Sequence, residues 1–175
     1  MRLSLAAGLV AGLALAAAAL APNAPAQQKT PDEFKLMKSE TIGQLRLDMT
    51  QADLKRLLTA RPAIGREQRW EADGQYHQKW TYRAQGLTIG MVSEKKGGAK
   101  IVESIDCAAR CTLKSARGIG LGSTLEDAQK AYAAEFNKEE SKLPELFVAG
   151  TIYGGLLLKF KAGKVSVMYL GAAAE

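Results

Sequence analysis

Two stretches of the chain carry apolar residues at helical spacing. The first follows Thr50 and ends before Pro62, and its apolar residues recur at i, i+3 and i+4: Leu54, Leu57 and Leu58. The second is "GIGLGSTLEDAQKAY", in which the periodic residues follow Thr124. Thr is a favoured residue at a helix N-cap, and Pro limits a helix that precedes it. The pattern therefore predicts two short amphipathic helices.

The two predicted helices begin with the same signal. An acidic residue three positions after the Thr completes a capping box, and Asp53 and Asp127 occupy those positions. The segments "LRLDMTQADLKRLL" and "IGLGSTLEDAQKAY" align without a gap, so that Thr50 matches Thr124. This alignment indicates an internal repeat.

Strand-like alternation follows each helix. The segments are "QKWTYRA", "GLTIGMV" and "KIVESI" in the first case and "ELFVAGTIY", "GLLLKFK" and "KVSVMYL" in the second. One face of a predicted strand is shared by Leu87, Ile89 and Met91. A face of a later predicted strand is shared by Leu156, Leu158 and Phe160. Glycine-containing turns separate the segments. We predict an α+β fold made of two tandem copies of a helix followed by three to four antiparallel strands.

The predicted organisation has four parts after the leader. Residues 27–41 form an N-terminal segment with a short helix that begins at Thr30, and residues 42–106 form the first copy. Residues 107–117 are a disulfide-containing linker, and residues 118–175 form the second copy.

Residues 1–26 have the pattern of a secretory signal peptide. Arg2 precedes the apolar stretch 3–20, and Ala24-Pro25-Ala26 is an A-x-A cleavage site. We predict a periplasmic or secreted protein with no membrane span after cleavage; the alternative is a retained membrane anchor. No cysteine lies near the cleavage site, which disfavours a lipid-anchored form.

The chain is basic, with 24 Lys and Arg against 18 Asp and Glu and a net charge of +6. Such a balance suits a partner that is acidic, whereas scattered lysines in an exported protein do not favour nucleic acid.

Cys107 and Cys111 are the two cysteines of the chain. In an oxidising compartment such a pair forms a disulfide, which is the prediction here, with a redox or metal role and free thiols as alternatives. An i, i+4 pair in a regular helix is too widely spaced for a disulfide, so the segment should be a loop.

The glycine-rich step into the second helix does not match a nucleotide-binding loop, because its spacing is G-x-G-x-G and antiparallel strands follow. His77 is the single histidine, and we interpret it as an exposed strand residue without a partner. We therefore expect no metal and no cofactor. Adjacent acidic pairs do not face each other on a helix, so a catalytic set could come only from carboxylates that converge in the fold.

The step at Gly120, Gly122 and Thr124 and the pattern G-L-x-x-x-F-x-x-G-x-V from Gly155 resemble the tandem-repeat fold of the β-lactamase inhibitor protein. They also resemble the small lipoprotein of the outer-membrane barrel-assembly machinery. The resemblance covers residues 42–171, and the missing lipidation cysteine departs from the lipoprotein. It implies a module that binds another protein with a face of its sheet.

The aromatic residues Trp70, Tyr76, Trp80 and Tyr82 cluster along the chain, either as core residues or as an exposed surface for a partner. We predict a non-catalytic protein-binding module, an inhibitor or an envelope-assembly accessory. The alternatives are an enzyme with convergent carboxylates and a basic module that binds an anionic envelope polymer or lipid. The candidate partner-binding residues are Lys79, Trp80, Tyr82, Arg83, Lys159 and Lys161.

Overall fold

The structure is a computed structural model that describes residues 34–173. The predicted signal peptide and the helix start at Thr30 lie outside these residues. The described helices are α1 (Lys35–Ser39), α2 (Gln51–Leu57) and α3 (Leu125–Ala131). The strands are β1 (Ala63–Ile64), β2 (Gln68–Arg69), β3 (Tyr76–Tyr82), β4 (Leu87–Ser93), β5 (Ile101–Cys107), β6 (Leu146–Thr151), β7 (Gly154–Lys161) and β8 (Lys164–Gly171).

Both predicted capping boxes are present. The Thr50 side chain accepts a hydrogen bond from the Asp53 backbone N–H at 3.1 Å, and the Asp53 carboxylate accepts one from the Thr50 N–H. Thr124 and Asp127 make the same two bonds at 3.0 and 2.8 Å. Each box satisfies backbone donors that the first helical turn leaves without partners, which is why both helices begin at the predicted residues.

All strands belong to one antiparallel sheet. Its order is β1-β3-β4-β5-β8-β7-β6, and β2 also pairs with β3. The strands that follow α2 therefore form one half of the sheet, and those that follow α3 form the other half. The halves join where β5 pairs with β8. The predicted α+β class with antiparallel strands is confirmed.

The helices cover one face of the sheet, and the hydrophobic core lies between them. Leu54 of α2 and Ala128 of α3 are fully buried in this core. The strand residues predicted to share a buried face do so: Leu87, Ile89, Met91, Leu156 and Leu158 are buried, and Phe160 packs against them.

The opposite face of the sheet, which we call the outer face, carries the alternate strand residues. One row of directly paired residues crosses six strands on this face: Thr81, Thr88, Asp106, Tyr169, Leu157 and Val148. Its composition changes along the sheet, since Leu157 and Val148 are buried while the first four residues of the row are partly exposed.

The predicted disulfide between Cys107 and Cys111 is present, and both residues are buried. Cys107 ends β5 and Cys111 lies in the turn beyond it, as the spacing required. Gly86 is pressed against this turn, with a φ of +64°. A Cβ there would lie 2.4 Å from the Ala108 carbonyl oxygen and 2.6 Å from the Cys111 nitrogen, so the close approach requires glycine.

Candidate functional site

The centre of the outer face holds one carboxylate between two lysines. Asp106 on β5 is partly buried, and burial raises its pKa although the positive charges of Lys159 and Lys79 oppose this effect. Lys79 lies opposite Gly90 of the neighbouring strand, and Lys159 lies between Leu146 and Val167. Both lysine side chains are exposed. The outer face therefore presents two positive charges around a carboxylate that is poorly solvated.

Two other basic residues of the predicted surface lie away from this centre. Lys161 is exposed at the end of β7, where it pairs with Lys164 beside the hairpin turn. Arg83 is exposed but lies in a 3-10 turn, Arg83–Gln85, that follows β3. Lys79 and Lys159 are thus the two predicted basic residues on the central part of the outer face.

The prediction that Trp80 and Tyr82 contact a partner is corrected. Both side chains are buried in the core, because they alternate along β3 with Lys79 and so point toward the helices. The Trp80 indole N–H donates to the Gln78 side chain at 3.0 Å, on the core side of the strand. The core alternative for these two aromatic residues is the one that the structure supports.

His77 is not the exposed strand residue that the sequence suggested. The residue is 7% exposed, and its side chain lies between two carboxylates. Nε2 is 2.9 Å from Asp73 Oδ2 in a hydrogen bond. Nδ1 is 2.8 Å from Glu103 Oε2, a close contact that is not aligned as a hydrogen bond and is ionic only when the imidazole is protonated. The Trp70 ring stacks on the imidazole with a centroid distance of 3.8 Å and an interplanar angle of 16°.

Glu103 reaches His77 because two local features coincide. The β4–β5 pairing contains a bulge, in which Glu103 is the residue without an opposite partner. Gly90 lies between the two strands that carry these side chains, and a Cβ on it would come within 3.0 Å of Glu103 Cγ and 2.2 Å of Ser104 Oγ. The missing side chain at Gly90 leaves room for Glu103 to cross β4.

The turn that carries Trp70 is closed by its own hydrogen bonds. The Trp70 N–H donates to the Gln75 carbonyl, the Gly74 N–H donates to the Trp70 carbonyl, and both bonds measure 2.9 Å. The Asp73 carboxylate accepts from the Gln75 N–H at 2.9 Å, and this bond, followed by the bond from His77, holds the pKa of Asp73 below its usual range. Trp70 itself remains 43% exposed.

A groove of about 490 Å³ begins beside this turn, at the end of the β4–β5 hairpin. Its apolar lining includes Val92, which pairs with His77, and the exposed Ile101. The lining of the groove also includes two charged residues, Glu94 and Lys95. Trp70 and this groove place exposed apolar surface at one end of the outer face.

Sequence reasoning missed the His77 cluster for a physical reason. Asp73 precedes His77 by four residues and begins a "DG" turn signal. The contact between these two side chains could therefore have been predicted from the local sequence. Glu103 comes from another strand, and its approach depends on a bulge and on Gly90. Register and bulges depend on packing between strands, which a single sequence does not reveal.

A second buried polar cluster lies on the helix side of the sheet and ties segments together. Glu40 is buried and accepts hydrogen bonds from the Tyr132 hydroxyl at 2.9 Å and from the Ala116 N–H at 2.8 Å. The Tyr132 hydroxyl also contacts Ser115 Oγ at 2.7 Å, and burial strongly raises the pKa of Tyr132. This network links the N-terminal segment to α3, which is a structural role.

Within residues 34–173, no group of three or more His, Cys, Asp or Glu side chains is arranged to hold a metal ion. No helix in the same range has the length and apolar character needed to cross a membrane. No protein-family model matches this sequence, and comparisons with curated proteins and with solved structures give no match. The resemblance to the tandem-repeat inhibitor and to the small lipoprotein remains a prediction.

Proposed function

We propose that this protein is an exported, non-catalytic module that binds an acidic protein partner with its outer face. The observation that carries the proposal is the placement of Lys79 and Lys159, exposed on either side of the partly buried Asp106. Among the elements described in residues 34–173, the helices pack on the other face, and a sheet presents backbone-anchored side chains on a stiff support, which suits recognition of a protein surface.

The charges at the centre favour an acidic patch on the partner. The two lysines and the one carboxylate give the centre of the outer face a net positive charge. The formal net charge of the whole chain is +6. Such complementarity speeds encounter and is weakened by salt. Trp70 at one end of the face supplies an exposed aromatic ring, a residue type that is common among the strongest contacts of interfaces.

The non-catalytic part of the proposal rests on the electrostatics of the carboxyl groups. A carboxylate pair for acid–base work needs one member whose pKa is raised and a second member within reach. Among the described carboxyl groups with a resolved pKa shift, Asp106 has the raised value, and for the others the pKa is lowered. The charges that act on Asp106 are those of Lys159 and Lys79, and within residues 34–173 no second carboxylate is among them, which supports recognition over catalysis.

A charge-reversal pair tests the binding face. In one variant, Lys79 and Lys159 are changed to Glu, which alters only the outer face. The matched control changes Lys38 and Lys130 to Glu, two exposed lysines on α1 and α3, so that both variants carry the same net charge. Each protein is immobilised and used to capture partners from an envelope extract at low and at high salt.

We expect the wild-type protein and the helix variant to capture the same partner and the outer-face variant to lose it. The wild-type capture should weaken as salt is raised. Equal capture by both variants would show that the outer face is not the binding surface, and loss in both would show that net charge alone governs the contact.

Export is the second part of the proposal. It is supported by the signal-peptide pattern of residues 1–26 and by the buried disulfide, since disulfides persist in oxidising compartments. Mass spectrometry of the protein from its native compartment should find an N-terminus at or near Gln27. A mature protein that retains Met1 would contradict cleavage.

We further infer that the two halves of the chain are tandem copies of one unit. Equivalent backbone bonds support this inference: Val102 N–H donates to Met49 O, and Val165 N–H donates to Ser123 O, both at 2.9 Å. The residue before each acceptor has a positive φ, Asp48 in the first half and Gly122 in the second. The strand order is also symmetric about the β5–β8 pair. This is the arrangement that the resemblance implied.

A further inference from the structure

We propose that His77 is a pH-dependent latch that holds Trp70 in place at one end of the outer face. The inference concerns regulation of the proposed binding surface, and its consequence for binding rests on the proposed function. The latch itself is a property of the isolated protein. It is built from Asp73, His77 and Glu103, with the Trp70 ring stacked on the imidazole.

The protonation state of the His77 imidazole decides how many favourable contacts the latch makes. The imidazolium carries an N–H on each nitrogen, so both nitrogens face a carboxylate oxygen favourably. A neutral imidazole keeps one N–H. Its other nitrogen then carries a lone pair in place of the N–H and lies less than 3 Å from a carboxylate oxygen, so the attraction at that contact is lost and the two electron-rich atoms repel. Loss of the proton as pH rises therefore converts one of the two attractive contacts into a repulsive one.

The groups that face His77 come from four elements. Asp73 lies in the β2–β3 turn and Glu103 in β5, and both are acidic. The paired residues on the adjacent strands are uncharged, Gln68 on β2 and Val92 on β4. Lys79 is the next outer-face residue of β3 itself. The pKa of Asp73 is lowered, so its carboxylate stays ionised over the range in which a histidine titrates.

Trp70 is the residue that the latch positions. Its ring contacts the imidazole over a full stacked face, and a cationic ring is attracted to the negative face of an indole. Asp73 belongs to the same turn as Trp70, so the carboxylate contact and the stacking hold the turn at two points. Weakening both at higher pH frees the indole. An aromatic contact that is ordered before binding loses less entropy on binding, so affinity should be greatest at low pH.

The isolated, untagged protein allows a direct test by NMR. His77 is the one histidine of the chain, so its Cε1–H resonance reports its titration without ambiguity. The chain has two tryptophans, and the indole of Trp80 is buried with its N–H bonded to Gln78, which makes it an internal control. Both indole resonances are followed together with His77 through the histidine titration.

We expect the Trp70 indole resonance to shift with the same midpoint as His77 and the Trp80 resonance to stay constant. Acrylamide quenching of Trp70 should increase over the same pH interval. A Trp70 resonance that stays constant while His77 titrates would overturn the proposal, as would an equal response from both indoles.

Two variants separate the latch from a merely structural contact. His77→Phe keeps a stacked ring and removes both ionic contacts, so Trp70 should no longer respond to pH. Glu103→Gln keeps the shape and removes one charge, so the His77 and Trp70 curves should move together to lower pH. Glu71→Gln is the control for Glu103→Gln, because Glu71 is an exposed carboxylate of the same turn.

Each variant tests the latch by itself, so the proposal can still be tested if one of the two variants does not fold. A Trp70 response that persists in His77→Phe, or curves that stay fixed or separate in Glu103→Gln, would contradict the latch. Because no partner is present, these outcomes do not depend on the outer face being a binding surface. Charge reversal of Lys79 and Lys159 tests that surface separately.

Discussion

The two halves of the sheet contain the same backbone irregularity but place different chemistry on it. In the first half, the bulge lies at Gly90 of β4, and the extra residue on β5 is Glu103. In the second half, it lies at Lys159 of β7, and the extra residue on β8 is Ser166. The core residues that follow Gly90 and Lys159, Met91 and Phe160, both point toward the helices.

The consequence on the outer face is opposite in the two halves. Glycine leaves space over β4, so Glu103 crosses to His77 and an acidic, pH-sensitive cluster forms. Lysine fills the equivalent space and projects its charge to solvent, while Ser166 donates a hydrogen bond to the Lys159 carbonyl at 3.2 Å. Both bulges are therefore followed by a core residue, whereas single residues at the bulges set the chemistry of each half.

Equivalent core truncations should have the largest effect and should match between the halves. Ile89 and Leu158 are fully buried at corresponding positions of β4 and β7. Changing either to Ala removes buried methyl and methylene groups and leaves a cavity, so each should cost about 2–5 kcal/mol of unfolding free energy. Urea unfolding measures both. A single transition with similar costs supports one shared core, and two separate transitions would show that the halves fold independently.

Substitution at the two bulges should have a smaller and unequal effect. Gly90→Ala places a Cβ against Ser104 and Glu103, which must move, so we expect a cost of about 1–3 kcal/mol. Lys159→Ala shortens an exposed side chain and should change stability by less than about 0.5 kcal/mol. Gly90→Ala should also change the NMR titration of His77, because Glu103 is displaced. Equal losses of unfolding free energy at both positions would contradict the proposed difference between the two bulges.

Removal of either helix cap should have an intermediate to small effect on the free energy of unfolding, and the effect should be equal for the two helices. Thr50→Ala and Thr124→Ala each delete a side-chain acceptor for an N-terminal backbone N–H. Each should cost about 1 kcal/mol, and the double variant should show the sum because the helices belong to different halves. Thermal unfolding provides the measurement. A cost at one cap alone would mean that the other helix is held by packing.

The sequence predicted those features that depend on local chemistry. The capping boxes at Thr50 and Thr124, the disulfide and the buried set on β4 and β7 each follow from short-range spacing or from strand alternation. Lys79 and Lys159, two of the candidate partner-binding residues, lie on the outer face because they alternate with the buried residues of β3 and β7. These predictions did not require knowledge of which strands pair.

The features that were missed depend on contacts between strands. Trp80 and Tyr82 were candidates for a surface because nothing in β3 alone tells which face the helices cover. The environment of His77 depends on Glu103, whose orientation follows from the bulge in the β4–β5 pair. A shift of one residue in that register would turn Glu103 away from the outer face.

The smallest predicted effects involve two aspartates, one in each half, whose pKa values are displaced in opposite directions. Burial raises the pKa of Asp106 on the outer face above the usual 3.8. Hydrogen bonds from Thr124 lower the pKa of Asp127 at the start of α3. An acid with a raised pKa in the folded state opposes folding when it is charged, and an acid with a lowered pKa favours folding when it is charged.

Changing each aspartate to Asn should therefore alter stability with opposite sign at neutral pH. Asp106→Asn should raise the free energy of unfolding, and this gain should shrink as pH falls through the raised folded-state pKa toward the unfolded value, where wild-type Asp106 is protonated. Asp127→Asn should lower the free energy at neutral pH, and this loss should shrink as pH falls from the unfolded value through the lowered folded-state pKa. Urea unfolding of both variants and the wild type at several pH values measures the differences. A loss of stability in Asp106→Asn at neutral pH would mean that attraction to Lys79 and Lys159 exceeds the cost of burying the carboxylate, and the centre of the outer face would then be a stabilising ion cluster.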